Sequence, residues 1–354
     1  QRDDSCNACP ISNIMSLRLR SGRPPRRLAW CVALALVLAG CQAPSPSPTG
    51  VSSTAATSGP LRVSAMTFNV LTGNADSSWY PLISPDELRL SARAPAIIEK
   101  IRLASPDIVG LQENEGRAAL PSSFLVDGLS EYTWVHPQLT LPILVRTSRF
   151  EVIDDATVRI TSADDPQSHL NRFVGWVQLR ERDTGRTLFV FNVHTHPYQE
   201  LRFARLRSAS IDRLLTTIRR VNPELAAPFL ITGDFNAFHD ETKPIFRDHL
   251  TKLGAAGIVD SWSLAVQDAS DVVGASSFNR MGASLDGVPV AKVVRRLGRH
   301  IDYVWVPTGT EVDTWAVQSG PGVAWVTVRG RRVPRWTGVV ASDHSPVVAH
   351  LSFG

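Results

Sequence analysis

The sequence predicts an α/β (α+β) domain built around β-sheet, and two observations lead to that fold class. Short runs rich in apolar and β-branched residues, such as residues 61–71 and 108–112, alternate with longer amphipathic patterns of helical period, such as residues 88–103. Some neighbouring strand patterns are close enough to form hairpins, whereas others are separated by a helix and need a crossover connection. This mixture is typical of a layered α/β domain, and the chain shows no internal repeat.

The strand and helix patterns follow one another in a definite order. The helix at residues 88–103 is expected to end before Ser105-Pro106, because proline disfavours the helical conformation of the residue before it. The second helix has an apolar face that is expected to point inward, formed by Leu201, Leu206, Ile211, Leu214, Leu215 and Ile218. A third helix is predicted at residues 243–253. The predicted strands are residues 61–71, 108–112, 143–146, 173–180, 188–194, 229–232, 301–306 and 346–353.

Residues 1–41 are predicted to be an N-terminal extension and a signal peptide rather than part of the fold. Five arginines in residues 18–27 precede an apolar run at residues 28–38. That run is shorter than the about 20 residues that a membrane-spanning helix needs. Residues 38–41, with the sequence LAGC, resemble the lipobox of bacterial lipoproteins. Cys41 is therefore expected to carry a lipid that anchors the chain to a membrane, and an ordinary secretory signal is the alternative.

Residues 42–60 are predicted to be a linker, because they consist mainly of Pro, Ser, Thr, Ala and Gly. Such a composition cannot bury enough apolar surface to offset the entropy of ordering. Residues 61–354 are then expected to form one folded domain, large enough for a substantial core. The expected protein is a monomeric domain outside the cytoplasm, either tethered to a membrane or secreted.

The expected mature chain has almost no net charge. Six of the 37 Lys and Arg residues and two of the 33 Asp and Glu residues lie in residues 1–40, which leaves 31 of each sign. This balance excludes a domain-wide electrostatic attraction to nucleic acid, although a local basic patch stays open. All four cysteines lie at or before Cys41. The folded domain therefore has no disulfide or thiolate metal site, and oxygen or imidazole must bind any metal.

Polar residues lie at or next to the ends of six of the strand patterns. In each case an apolar strand carries a carboxylate, amide or imidazole side chain near one of its ends, which is how a rigid scaffold presents a functional site. The residues are Asn69, Glu113, His194, Asp234, Asn236, Asp302, Asp343 and His344.

These six motifs, in this order, resemble those of the endonuclease/exonuclease/phosphatase superfamily, which has the deoxyribonuclease I-like fold. Each motif alone is short and common, whereas the ordered set from about residue 61 to residue 351 is specific. The resemblance implies a four-layer sandwich, in which two mixed β-sheets pack face to face with helices on the outside. It also implies hydrolysis of a phosphoester with Mg2+ or Mn2+ as cofactor, at one edge of the sandwich.

The resemblance also implies roles for the acidic residues and for one histidine. Glu113 is expected to be the principal metal ligand, with Asn69 and Asp343 as further ligands or as residues that hold metal-bound water. Asp302 is expected to orient His344, which can then activate water or stabilise charge at neutral pH.

The remaining candidates are expected to act on water and on the phosphate. Asp234 would orient or deprotonate the attacking water, Asn236 would donate to a phosphate oxygen, and His194 would bind the phosphate or assist the leaving group. The identity of the general base stays open at this point. Arg172 is expected to lie near the phosphate as a substrate-binding residue, and an exposed arginine at a strand end is the alternative.

Three functions remain open from the sequence. The first is an extracytoplasmic hydrolase of phosphodiesters or phosphomonoesters, acting on nucleic acid, phospholipid or a small phosphoester. The second is a secreted nuclease, which the neutral charge does not favour, and the third is a surface lipoprotein that uses the fold only for binding. A hairpin predicted at residues 323–336 carries tryptophans and a basic tip. It suits a phosphate-rich partner, although packing of its tryptophans on the domain is slightly favoured.

Overall fold

The computed structural model describes residues 59–73, 75, 77–80, 84–114, 123–137, 139–161, 172–270, 276–279, 300–319, 323–328, 330–336 and 341–354. The predicted signal and residues 42–58 of the predicted linker lie outside this part of the chain, as does Arg329 at the tip of the predicted hairpin. Among the residues described, no helix is both long enough and apolar enough to cross a membrane.

The part of the chain that the structure describes contains fifteen strands and five α-helices. The strands are β1 (Leu61–Asn69), β2 (Ile108–Gln112), β3 (Tyr132–Val135), β4 (Ile143–Arg146), β5 (Phe150–Arg159), β6 (Phe173–Glu181), β7 (Thr187–His194), β8 (Phe229–Asp234), β9 (Ile258–Asp260), β10 (Ala265–Asp268), β11 (Asp302–Pro307), β12 (Glu311–Val317), β13 (Val323–Val328), β14 (Arg331–Trp336) and β15 (Val347–Phe353). The helices are α1 (Pro85–Leu88), α2 (Leu90–Ala104), α3 (Ser123–Gly128), α4 (Leu201–Val221) and α5 (Asp248–Ala255).

Most strands belong to two mixed β-sheets. One sheet has seven strands in the order β10-β12-β15-β1-β2-β4-β3, and the other has six in the order β5-β6-β7-β8-β11-β9. The pairs β1 with β2, β7 with β8, and β10 with β12 are parallel, and the other described pairs in these sheets are antiparallel. Strands β13 and β14 pair as a separate hairpin. The predicted mixture of hairpin and crossover connections is therefore confirmed.

Three apolar clusters show how the layers are stacked. The first lies between the two sheets, where Val63 of β1 and Val190 of β7 belong to the same buried cluster. The second joins the outer face of the six-stranded sheet to α4 through residues such as Leu214. The third joins the outer face of the seven-stranded sheet to α2 through residues such as Ile97. This order of helix, sheet, sheet and helix confirms the predicted four-layer sandwich.

The helix predicted at residues 88–103 is observed as α2, and the short helix α1 precedes it. Ser84 caps α1, since its side chain accepts from the backbone of Glu87 while the Glu87 carboxylate accepts from the Ser84 backbone. Arg89 then has an extended ψ of 138°, which separates α1 from α2. Helix α2 ends at Ala104. The next residue, Ser105, caps the helix in the left-handed conformation, directly before the proline at which the helix was predicted to stop.

Helix α4 buries most of its predicted inward face. Ile211, Leu214 and Ile218 are buried, and they pack on the six-stranded sheet. The prediction that Leu201 faces inward is wrong, because 47% of its surface is exposed. It is the first residue of the helix, and the packed face begins later.

The two sheets approach closely beneath the edge where β2 and β8 meet. A Cβ atom at Gly110 would lie 2.0 Å from the Thr232 hydroxyl of the opposite sheet, so only glycine fits there. Next to it, Gln112 Nε2 donates to Asn192 Oδ1 at 2.7 Å, and Asn192 in turn accepts from Thr232. These buried polar groups are hydrogen-bonded to each other, which links the sheets in a defined register.

Arg186 ties together both ends of the described domain. Its guanidinium donates to the carbonyls of Gly59 and Gly354, each at 2.7 Å. Strand β1 starts next to this contact, at Leu61, and ends at Asn69. The contact therefore lies at the edge of the sandwich opposite to the carboxyl end of β1.

Candidate active site

The sheet topology brings all nine residues singled out from the sequence to one edge of the sandwich. Strands β1, β2, β7 and β8 end at this edge, whereas β11 and β15 begin there because each is antiparallel to a neighbour. Asp234 is in register with His194 on one side and with Asp302 on the other. The nine residues are Asn69, Glu113, Arg172, His194, Asp234, Asn236, Asp302, Asp343 and His344.

Asn69 and Glu113 form the open side of this edge. Asn69 Nδ2 donates to Glu113 Oε1 at 3.1 Å and to Asp234 Oδ2 at 3.0 Å, so one amide group joins two carboxylates. The other Glu113 oxygen accepts from the backbone N–H of Thr72 at 3.1 Å. The Glu113 side chain is 27% exposed, whereas that of Asp234 is 1% exposed. Glu113 is therefore the carboxylate that solvent and ligands reach most easily.

Two of the site residues have left-handed backbone conformations. The φ angle is 58° at Glu113 and 50° at Asn236, a region that costs about 1 kcal/mol for residues with a side chain. The Asn236 backbone N–H donates to Asp234 Oδ1 at 2.8 Å, and its side-chain amide donates to the Thr195 carbonyl at 3.3 Å. Such conformations persist where surrounding contacts hold them, and they are concentrated at functional sites.

Two buried histidines flank Asp234. His194 Nδ1 lies 3.0 Å from Arg172 Nη1, and its Nε2 lies 3.5 Å from Asp234 Oδ2. His344 Nδ1 lies 2.9 Å from Asp302 Oδ2, and its Nε2 lies 3.8 Å from the same Asp234 oxygen. Asp302 therefore contacts His344 as predicted, while Arg172 contacts His194.

The surroundings shift the pKa values of these histidines in opposite directions. Burial, and then the positive charge of Arg172, hold the pKa of His194 well below its usual value. Burial alone would also lower the pKa of His344, but the negative charges of Asp302 and Asp343 outweigh it and raise that pKa well above its usual value. At neutral pH, His194 is thus a neutral ring and His344 is a cation.

The Asp234 carboxylate is poised to change its protonation state near neutral pH. Burial raises its pKa, the nearby carboxylate of Asp302 raises it further, and His344 partly opposes the shift, so that the pKa is about 7. A carboxylate with such a pKa is suited to accept a proton at neutral pH. Burial also raises the pKa of Asp343.

Arg93 is a structural component of the site that the sequence reasoning missed. It is fully buried on α2 and donates to four backbone carbonyls, those of Leu88, Val70, Leu71 and Ala341, at 2.5 to 2.8 Å. It therefore joins the loop after β1 to the loop that leads into β15. A charged residue in the otherwise apolar inward face of α2 was the signal that could have found it.

Tyr80 is a second residue that sequence reasoning missed. Its hydroxyl donates to Asp343 Oδ2 at 2.7 Å, and it is 6% exposed. Burial, and then the negative charge of Asp343, raise the pKa of Tyr80, so the hydroxyl keeps its proton. The loop of Asp343 is held further by Ser342, whose hydroxyl donates to the Asn69 carbonyl at 2.6 Å. No sequence motif pointed to Tyr80.

The donor set of this edge fits a hard divalent cation such as Mg2+ or Mn2+. Carboxylates and imidazoles converge without any sulfur ligand, and ligand atoms of Asp234, Asp302 and His344 all lie within 4.8 Å of one another. Asp302 Oδ1 is buried and has no hydrogen-bond partner among the described residues. A concentration of buried negative charge with an unsatisfied oxygen is suited to a bound cation.

Two candidate ligand sets at this edge must be distinguished. Asp302 and His344 are already hydrogen-bonded to each other, which suits an orienting pair better than two separate ligands. Mg2+ retains several waters and binds through few carboxylates, so its ligand should face the open side. Glu113 meets that condition, and Asn69 contacts it directly. The group formed by Asp234, Asp302 and His344 is therefore the less suitable metal site. The predicted metal site remains Glu113 with Asn69 and Asp343.

Residues 66–344 match the Endonuclease/Exonuclease/phosphatase family, and the chain belongs to that family. No curated protein matches the sequence. Membership of this family supports a hydrolase of the phosphoesterase or nuclease type.

Three of these solved structures show how far the fold is shared. An endonuclease/exonuclease/phosphatase family protein from Bacteroides thetaiotaomicron is 18% identical, with a TM-score of 0.61 over 83% of this chain and 99% of that one. A mannosyl-6-phosphatase from the same organism is 17% identical, with a TM-score of 0.57 over 82% and 100%. The human Nocturnin catalytic domain is 18% identical, with a TM-score of 0.54 over 83% and 95%. At these identities the likeness concerns the fold.

Proposed function

We propose that the protein hydrolyses a phosphodiester or phosphomonoester and that it requires Mg2+ or Mn2+. The observation that carries this proposal is the position of Asp234, which is buried between His194 and His344 beside the partly exposed carboxylate of Glu113. Phosphoryl transfer needs positioning and charge neutralisation more than covalent help. This edge supplies anionic ligands for a cation and N–H donors for a phosphate.

Each residue at the edge then has a defined task. Glu113 would hold the ion, with Asn69 and Asp343 beside it, and the bound ion would neutralise charge on the phosphoryl oxygens. Asp234 orients the attacking water and accepts its proton, which suits a pKa of about 7. His344, fixed by Asp302, places positive charge next to Asp234.

The test is turnover by the purified protein in Mg2+, Mn2+ or EDTA against several substrate classes. One solved relative is described as a mannosyl-6-phosphatase, and another, from zebrafish (D. rerio), as complexed with a single strand DNA product. The panel should therefore contain sugar phosphates, single-stranded and plasmid DNA, RNA, sphingomyelin, phosphoinositides and bis-p-nitrophenyl phosphate. Metal-dependent turnover confined to one class would support the proposal and identify the substrate class.

The matched variants are Glu113→Gln and Glu311→Gln. Glu311 begins β12 and is exposed, so its substitution should leave turnover unchanged. Glu113→Gln should reduce turnover at saturating substrate by at least about a hundredfold, because the expected metal ligand loses its charge. A folded protein that hydrolyses no member of the panel with either metal would contradict the proposal and favour a binding module.

We further propose that this hydrolase acts outside the cytoplasm and is anchored through a lipid on Cys41. The order of basic residues, apolar run and LAGC sequence supports this location. Metabolic labelling with a radioactive fatty acid should mark the wild-type protein but not Cys41→Ser. Equal labelling of both proteins, or none in the wild type, would argue against the anchor.

A further inference from the structure

The two ring nitrogens of His194 have contrasting surroundings. Nδ1 lies 3.0 Å from Nη1 of Arg172. Nε2 faces two carboxylates, at 3.5 Å from Asp234 Oδ2 and 3.9 Å from Glu113 Oε1. The residue is only 3% exposed, so these protein groups rather than bulk water surround the ring.

The Arg172 guanidinium determines where the ring proton sits. Arginine offers N–H donors and no acceptor, so the 3.0 Å contact is a hydrogen bond only when His194 Nδ1 presents its lone pair. The ring proton must then be on Nε2. An Nδ1–H tautomer, or an imidazolium, would place one N–H group against another.

The opposite side of the ring is compatible with the same tautomer. The Asp234 oxygen that faces Nε2 at 3.5 Å is an acceptor when the carboxylate is ionised, and it then matches an Nε2–H group. The contacts on both sides of the His194 ring therefore agree on one form of the ring.

We propose that Arg172 is a positioning residue that keeps His194 in the Nε2–H form, in which this histidine can act as the hydrogen-bond donor to a phosphoryl oxygen that the family resemblance implies. Proton transfer is left to Asp234, as in the proposed function. The donor role rests on the proposed phosphoester substrate, whereas the tautomer does not. This reading differs from the sequence-based expectation, in which Arg172 binds the phosphate itself.

The direct test is 15N NMR of the full-length protein labelled at histidine, without metal and without substrate. The His194 resonances are assigned by their loss in His194→Gln. The expected result is a pyridine-type shift for Nδ1, which carries the lone pair, and a pyrrole-type shift for Nε2, which carries the proton. A protonated Nδ1 in the wild-type protein would overturn the proposal whatever the activity of the protein.

The second test removes the guanidinium and keeps the bulk of the side chain. Arg172→Met should shift His194 toward a mixture of tautomers, seen as averaging of the two 15N shifts. With the substrate that the panel identifies, kcat should fall by about tenfold to a hundredfold while KM changes by less than about twofold, since a transition-state donor is misoriented. Arg205→Met is the control, because Arg205 is exposed on α4.

The outcomes separate this proposal from the proposed function. Unchanged His194 shifts in Arg172→Met, combined with a raised KM, would show that the guanidinium binds the phosphate directly and would overturn the positioning role. The expected shifts in both proteins support the tautomer even if no phosphoester is hydrolysed. In that case the proposed function fails, and only the donor role of His194 fails with it.

Discussion

His194 and His344 are alike in burial and in their distance to Asp234, yet their other contacts are opposite. The Nε2 atoms lie 3.5 Å and 3.8 Å from the same Asp234 oxygen. At the far side of the ring, His194 meets an arginine, whereas His344 meets the carboxylate of Asp302. The pKa of the first is lowered and that of the second is raised. The partner at Nδ1 therefore decides whether the ring is a neutral donor or a cation.

The largest expected effect comes from removing the charge that makes the two histidines different. Asp302→Asn keeps the shape of the side chain but no longer holds His344 as a cation with its proton on Nδ1. We expect kcat to fall by about a thousandfold to ten-thousandfold, as when the aspartate of a catalytic aspartate–histidine pair is replaced by asparagine. Kinetics with the identified substrate measure this.

The control for that variant is Asp313→Asn, since Asp313 is exposed on β12. Circular dichroism should show that both variants are folded. A loss of less than about tenfold in folded Asp302→Asn would mean that the charge of His344 is unimportant for the reaction.

The next largest effect tests whether different contacts hold His194 and His344 in place. Arg93→Met leaves four buried carbonyls without their donor, one of them directly before the loop of His344. We expect the free energy of unfolding to decrease by about 3 kcal/mol, as measured by urea denaturation. The 15N resonances of His344 should shift, while those of His194 should stay unchanged.

The exposed Arg102 of the same helix provides the comparison. Arg102→Met should change stability by no more than about 0.5 kcal/mol. Equal shifts of both histidines in Arg93→Met would show that the same contacts hold both rings in place.

Tyr80→Phe should have a smaller effect, confined to the side of His344. It removes the hydroxyl that donates to Asp343 Oδ2, a hydrogen bond to a charged group that is worth about 1.5 to 3 kcal/mol. We expect the concentration of Mg2+ that gives half-maximal activity to rise by about tenfold, because Asp343 is less well oriented. A metal titration of the two proteins measures this, and superimposable curves would exclude a role for Tyr80 at the metal side.

The smallest expected effect is a difference between the two histidines in how each changes the free energy of unfolding with pH. The folded pKa of His194 is lowered, so stability is lost as pH falls through its unfolded value of about 6.5. The folded pKa of His344 is raised, so its contribution is fully present below about 6.5 and is lost as pH rises through the folded pKa. Urea unfolding in EDTA at pH 5 and pH 8 compares the two.

His194→Gln should become more stable relative to the wild type when the pH is lowered from 8 to 5, and His344→Gln should become less stable. A change of the same sign in both variants would contradict the opposite charge states.

The sequence predicted the central strands and missed strands whose pattern is interrupted. Strands β2 and β8 are buried throughout, and each begins with apolar residues. Strand β5 is an edge strand with exposed residues and a register shift between Val152 and Asp154, and β12 has a similar shift between Val312 and Thr314. Such irregularities break the period of two on which strand prediction depends.

The residues of the candidate site also fall into a group that the sequence predicted and a group that it missed. The strand-end residues were predicted because an ordered set of motifs marks them. Arg93 and Tyr80 contact partners that are 248 and 263 positions away in the chain, at Ala341 and Asp343. Contacts of that range depend on the packed fold, so sequence reasoning could not assign these partners. The charge of Arg93 on the otherwise apolar face of α2 marked the residue but not the groups that it contacts.

The contact of Arg186 with Gly59 and Gly354 fixes the distance between the start of the described domain and the site. Gly59 lies at the edge opposite to the site, separated from it by the nine residues of β1, or roughly 30 Å. A contact that holds the domain at Gly59 therefore leaves the opposite edge, with the site, free to meet a substrate.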